Sequence, residues 1–178
     1  MKLSVRQSAA VALMAAVICV LSPLSIPLAS QVPISLATLA VMLAGALLGS
    51  KAGTLAVLIY IILGMIGLPV FAGWTSGAAI VFGMTGGYII GYLPLAFCTG
   101  YFFESHPTPG ALVLGMVIGT ITLYTIGTVW FMLYTKTDLT ASLTACVLPF
   151  LPGDVLKMIL TALVTPRIRP AARKLMHN

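Results

Sequence analysis

"ALVLGMVIGTITLYTIGTVWFMLYT", residues 111 to 135, contains no Asp, Glu, Lys or Arg. A bilayer core takes about 20 consecutive apolar residues per helix, so this stretch can cross one unaided. Further apolar segments run at 8–28, 36–50, 52–68, 86–104 and 152–170, which with 111–135 makes six. Across the 178 residues, 60% are hydrophobic and 7% are charged, too few charges to clothe a water-facing surface of this size. The chain is therefore expected to be an all-α integral membrane protein with six transmembrane helices, forming one domain over residues 1–178.

Charge sets the expected orientation. A formal net charge of +6 would point to nucleic acid in a soluble chain. Here Lys2, Arg6, Lys51, Arg167, Arg169, Arg173 and Lys174 border apolar segments, the arrangement of topology signals. With a cytoplasmic N-terminus all of these fall inside and Lys136 falls outside, so both termini are expected in the cytoplasm after an even number of spans. No nucleic-acid partner is expected; the surroundings are the lipid of a cell membrane. One competitor concerns the first segment. Met1 to Ser30 has a basic start, an apolar core from Ala9 to Leu21, and "PLAS" before Gln31, which imitates a secretory signal. Cleavage would put Lys51 and the basic tail on opposite sides, and the charge pattern argues against it.

Cys19, Cys98 and Cys146 each lie in an apolar run without a CxxC or a neighbouring His. They read as small buried hydrophobes; no metal, disulfide or cofactor is expected.

Against this background "LPFLPGDVLK", residues 148–157, stands out, because it sets Asp154 and Lys157 three residues apart at the start of an apolar segment. Ionisable groups in a membrane are costly and mark function when a partner can be named. On a helix beginning near Pro152, a residue suited to the first turn, Asp154 and Lys157 share a face near the outer end. The helix N-terminus, the Lys157 cation and the acceptor oxygens of Asp154 would suit a small molecule with a carboxylate and N–H donors. A structural ion pair with Asp154 capping its helix is the bland alternative.

The connection "FAGWTSGAAIVFGMTGGYIIGY" supplies Gly73, Gly77, Gly83, Gly86, Gly87 and Gly91 together with Phe71, Trp74, Phe82 and Tyr88. Glycine permits close backbone approach, and the aromatic rings offer apolar faces, with a polar handle on Trp and Tyr. The stretch reads as a loop folding over a small amphipathic molecule, or else as an interfacial loop with Trp74 as a headgroup anchor. Trp130 and Tyr134 read as such anchors. In the first segment Ala12 and Ala16 are four apart, flanked by Ala9 and Ala15. Such a row permits close helix contact in lipid, either within the chain or with a partner.

"LAGALLGSKAGTLAVLIYIILGMIGLPVFAG", "GMTGGYIIGY" and "LPFLPGDVLK", in this order and spacing, resemble the BioY family, the biotin-binding S components of energy-coupling-factor (ECF) transporters. The similarity runs from about Ala9 to Arg167. It implies six helices, with biotin bound from outside in a pocket capped by the first and third inter-helix loops. By its PGDxxK motif it implies Asp154 as partner of the ureido ring and Lys157 as partner of the carboxylate. By its TGGY motif it implies Gly86, Gly87 and Tyr88 as pocket residues, and by the Ala-rich first helix it implies Ala12 and Ala16 as the docking surface for a T component that joins two ABC ATPases. The sequence departs from the family's common pattern at Ala37, where many members carry Gln, at Met84, where Pro is common, and at Trp74 and Thr75 in a Gly-rich stretch. Gln31 in the first outer loop is a further expected ligand contact. A bacterial plasma membrane is the implied location.

Two other readings remain at this point. One is a stand-alone homo-oligomeric carrier coupled to an ion gradient. The other is a membrane enzyme with Asp154 as base. Glu104, Asp138 and Asp154 are the chain's acids, and His106 and His177 fall on the side away from Asp154, so no nucleophile–base set is legible and no enzyme is expected. No GxxxxGK[ST] loop occurs either, and energy must come from partners.

Overall fold

A computed structural model of the chain describes residues 4–26 and 32–177. Gln31 and the "PLAS" stretch lie outside the described residues. Six longer helices follow the six apolar segments: α1 (Val5–Leu21), α2 (Ala37–Leu48), α3 (Ser50–Met65), α5 (Gly86–Ser105), α6 (Pro109–Thr135) and α8 (Leu151–His177). Two short ones, α4 (Ala78–Val81) and α7 (Leu139–Cys146), are additional.

The first segment differs from its expected bounds for local reasons. Ser4 and Gln7 form a capping box that starts α1 at Val5, and Pro23 follows closely on its end at Leu21. Residues beyond it form β1 (Ser25–Ile26), paired antiparallel with β2 (Ile34–Ser35). At the other end of the chain, α8 continues through Pro166 and Pro170 to His177, past the expected limit of 170.

Among the described residues α6 alone is long and apolar enough to cross a bilayer by itself, and α7 with α8, bent by 48°, would make a second span. The helices present apolar residues outward as well as inward. Leu13 and Val20 on α1, Ile62 on α3, Ile121 and Leu133 on α6, and Leu156 and Leu163 on α8 are all exposed. Helices that are apolar all round belong in lipid or deep in a core, and the exposure of these faces identifies a membrane protein.

Close packing at small residues organises the bundle, as expected where lipid offers no hydrophobic drive between helices. Gly49, at φ 86°, breaks the chain between α2 and α3, and the two fold back so tightly that a Cβ on Gly53 would strike the backbone of Ala44 and Gly45. At this end Glu104 of α5 accepts from the Ser50 amide at 3.0 Å and the Ser50 hydroxyl at 2.6 Å, capping α3. α2 is buried along almost its whole length and packs against α3, α5 and α8.

Between α3 and α5 the chain makes a lid over the opposite end. A 3-10 turn (Ala72–Trp74) places both Gly73 and Trp74 at positive φ, 69° and 62°, the latter a left-handed conformation that is strained for a non-glycine residue. Backbone bonds pin the lid: Gly73 N–H to Pro23 O at 3.1 Å and Gly77 N–H to Gly64 O at 2.7 Å. The indole of Trp130 donates to Gly83 O at 2.9 Å.

Candidate functional site

The C-terminal ends of α1, α3 and α6 and the N-terminal ends of α2, α5 and α8 come together beneath the lid. The start of α8 is not the open helix end expected from the sequence. The Val147–Phe150 turn leads directly into it, and the amides of Leu151 and Asp154 are already bonded to Val147 O at 3.2 Å and Phe150 O at 2.8 Å. A ligand anion would find these two amides taken.

Asp154 and Lys157 are 3% and 6% exposed. Lys157 Nζ lies 2.9 Å from Asp154 Oδ1 and also donates to Thr38 Oγ1 at 2.8 Å. The Thr38 hydroxyl in turn donates to Asp154 Oδ1 at 3.1 Å, closing a three-membered ring. Tyr124 donates its hydroxyl to Asp154 Oδ2 at 2.5 Å. An ammonium has three donors and a carboxylate about four acceptor positions. Among the described residues one N–H of Lys157 and one lone pair of Asp154 are therefore left over, side by side. Burying two charges costs several kcal/mol per ion and their attraction barely repays it, so stability alone is a poor reason for the pair. The geometry matches a ligand edge that presents an acceptor next to a donor.

This corner forms one side of a small chamber of about 40 Å³ that also touches Leu123 and Phe150. Val32, Pro33, Ser35, Tyr88 and Tyr92 line both this chamber and a much larger cavity of about 600 Å³. The large cavity extends under the lid past Phe71, Ala72, Thr75, Met84 and Thr85, and reaches Ser22 and Tyr60.

The residues expected from the sequence fall in different places. Tyr88 lines both cavities, its hydroxyl 3.3 Å from Thr128 Oγ1 and 3.3 Å from Cys146 O. Phe71 is 2% exposed; its ring stands edge-on to Tyr60 at 5.6 Å, in the notch that Gly64 leaves free. Gly86 and Gly87 line neither cavity. They sit against Trp130 and the carbonyls of Val81 and Ile126, where a Cβ would collide, and so bring α5 close to α6. Trp74 is 62% exposed and does not line the cavity. Trp130, expected as a headgroup anchor, is half-buried and bonded to the lid, whereas Tyr134 is exposed and stands at the cavity wall. Ala12 and Ala16 are exposed and Ala15 is buried, so the first two are not consumed by packing within the chain. Thr38, Tyr124, Tyr92, Ser22 and Tyr60 were not legible as site residues.

A family model described as the BioY family matches residues 1–174. Among curated relatives, the biotin transporter BioY of Rhodobacter capsulatus is 43% identical over 163 residues, covering 83% of this chain and 86% of that protein. The biotin transporter BioY2 of Lactococcus lactis subsp. cremoris is 37% identical over 155 residues, covering 86% and 84%. A crystal structure of the S-component for biotin from an ECF-type ABC transporter superimposes with a TM-score of 0.86 at 36% identity, over 93% of this chain and 92% of that one.

Proposed function

The chain belongs to the BioY family, and from that membership we propose that it is the biotin-capturing S component of an energy-coupling-factor transporter in a bacterial plasma membrane. It takes biotin from outside and delivers it through a T component driven by two ABC ATPases. Its role is capture, not catalysis. The observation that carries this reading is the superposition of 93% of the chain on a solved S component for biotin.

The six longer helices are the six spans, with α7 completing the span of α8. At 1.5 Å per residue the 12 residues of α2 rise only about 18 Å, short of a bilayer core of about 30 Å. The remaining depth is given to β1, β2 and the cavity, which agrees with the rule that non-helical backbone is tolerated inside a membrane where it lines a cavity. Arg6 near the start of α1, Lys51 at the start of α3 and Arg167 and Arg169 late in α8 share one end of the bundle, while Lys136 caps α6 at the other. This distribution supports cytoplasmic termini and a cavity that faces outward.

Asp154 and Lys157 hold the ligand from the small chamber, with Tyr88 and Phe71 against its body. Gly86 and Gly87 contribute by holding α5 against α6, and Trp74 belongs to the rim. Ala12 and Ala16 are the surface offered to the T component.

Titration calorimetry of the detergent-purified chain, freed of ligand, against biotin tests the reading. Tight one-to-one binding without any partner is expected. A folded sample that does not bind biotin would overturn it.

A further inference from the structure

A cavity of about 450 Å³ lies at the end of the bundle away from the lid, between the end of α5, its link to α6 and the late part of α8. It shares no lining residue with the two chambers beneath the lid. Phe103 and Leu112, both buried, form its floor. Pro107, Pro109, Pro166 and Pro170, all exposed, form its rim. Proline has no N–H, so these four residues bring apolar rings and no backbone donor. Water needs several polar partners to settle in such a place, whereas a hydrocarbon chain needs none.

Among the described residues one charged side chain lines this groove, the half-buried Arg169. Its guanidinium stands 3.8 Å over the centre of the Phe103 ring and donates to Phe103 O at 3.4 Å, which fixes the cation at the groove wall. Glu104, next to Phe103, accepts from Ser50 of α3 and does not line the groove. Arg167 and Lys174, exposed on α8, add positive potential at the same end. A fixed cation beside an apolar groove is the complement of an amphipathic anion. We propose that this groove seats an anionic phospholipid of the cytoplasmic leaflet, its phosphate on Arg169 and an acyl chain along the proline-lined wall. This rests on the orientation argued above, with the basic end of the bundle cytoplasmic. Basic pockets between transmembrane helices on that side favour such head groups, and a planar guanidinium matches phosphate oxygens better than an ammonium does. α8 packs mainly on α2 and only lightly on α6, so the seated lipid ties α8 to the α5–α6 pair.

The test adds phosphatidylglycerol or phosphatidylcholine back to the delipidated full chain in detergent, and reads lipid retention by native mass spectrometry and stability by thermal unfolding. The wild type is expected to hold phosphatidylglycerol about fivefold more tightly than phosphatidylcholine and to unfold at a higher temperature with it. Arg169→Gln is expected to lose the preference and Arg169→Lys to keep part of it. Ala162→Phe, which fills the groove at a lining position, is expected to lose the lipid itself. If the variants do not fold, the wild type decides by competition: glycerophosphoglycerol, the same head group without chains, is expected not to displace the lipid. Equal retention of the two lipids by the wild type, or an undiminished preference in Arg169→Gln, would overturn the proposal. Displacement by the chainless head group would overturn it in favour of a free phosphate ligand. An Arg169→Gln chain that keeps its lipid but no longer assembles with a T component would overturn it in favour of a protein partner. None of these outcomes touches biotin capture, which the calorimetry tests separately.

Discussion

Thr38 uses one hydroxyl twice, as donor to Asp154 and as acceptor for Lys157, and it is the only link from α2 to this ion pair among the described residues. Thr38→Val keeps the shape and strips both bonds, leaving two buried charges under-bonded. We expect it to destabilise the protein by about 1–3 kcal/mol and to weaken biotin binding, with Thr38→Ser restoring both. Thermal unfolding in detergent and titration measure these effects, and a Val variant as stable as the wild type would refute the role. The contrast with Asp154 and Lys157 explains what could be read in advance. A charge in an apolar run is visible because it is expensive there. A hydroxyl is not, since threonines in apolar helices commonly bond their own preceding turn, as Thr99, Thr122 and Thr125 do. Only the fold separates those from Thr38, Ser22, Tyr60 and Tyr124, whose partners lie on other helices.

The apolar runs became helices because backbone N–H and C=O groups surrounded by lipid must bond within the segment. α4, α7 and the β1–β2 pair were invisible for the opposite reason: each is too short to persist by propensity and exists through its tertiary contacts. α7 matters most, since its junction with α8 occupies the amides that the sequence suggested were free. On α1, the row Ala12 and Ala16 could have packed inward. The exposure of both, with Ala15 turned inward instead, leaves a flat surface on which a partner helix can approach closely. Ala16→Trp is expected to abolish most biotin uptake in cells carrying the complete transporter while leaving the affinity of the purified chain unchanged. Loss of binding in the purified variant would show instead that this face supports the fold.

At the scale of the whole molecule, one end is closed by small contacts and the other is hollow. Glu104 caps α3 where Gly45, Gly53 and Gly100 bring α2, α3 and α5 into backbone contact, so these three helices are locked together at this end. The other is a cavity of about 600 Å³ under a lid. Such a body can hold a ligand, in keeping with its likeness to a solved S-component for biotin. In proteoliposomes, biotin uptake is therefore expected only when the T component and ATPases are present with ATP, and is expected to survive dissipation of proton and sodium gradients. Uptake by the chain alone that collapses with a gradient would favour the stand-alone carrier.

The lid is tied to two helices at once: Gly73 to Pro23 just beyond α1, and Gly77 to Gly64 near the end of α3. It therefore acts as a strut of fixed length between them. A displacement of α1 along α3 would strain one of these ties and so act on the cover of the cavity. A shift of α1 would be felt at the mouth of the cavity, which Ser22 at the end of that helix lines.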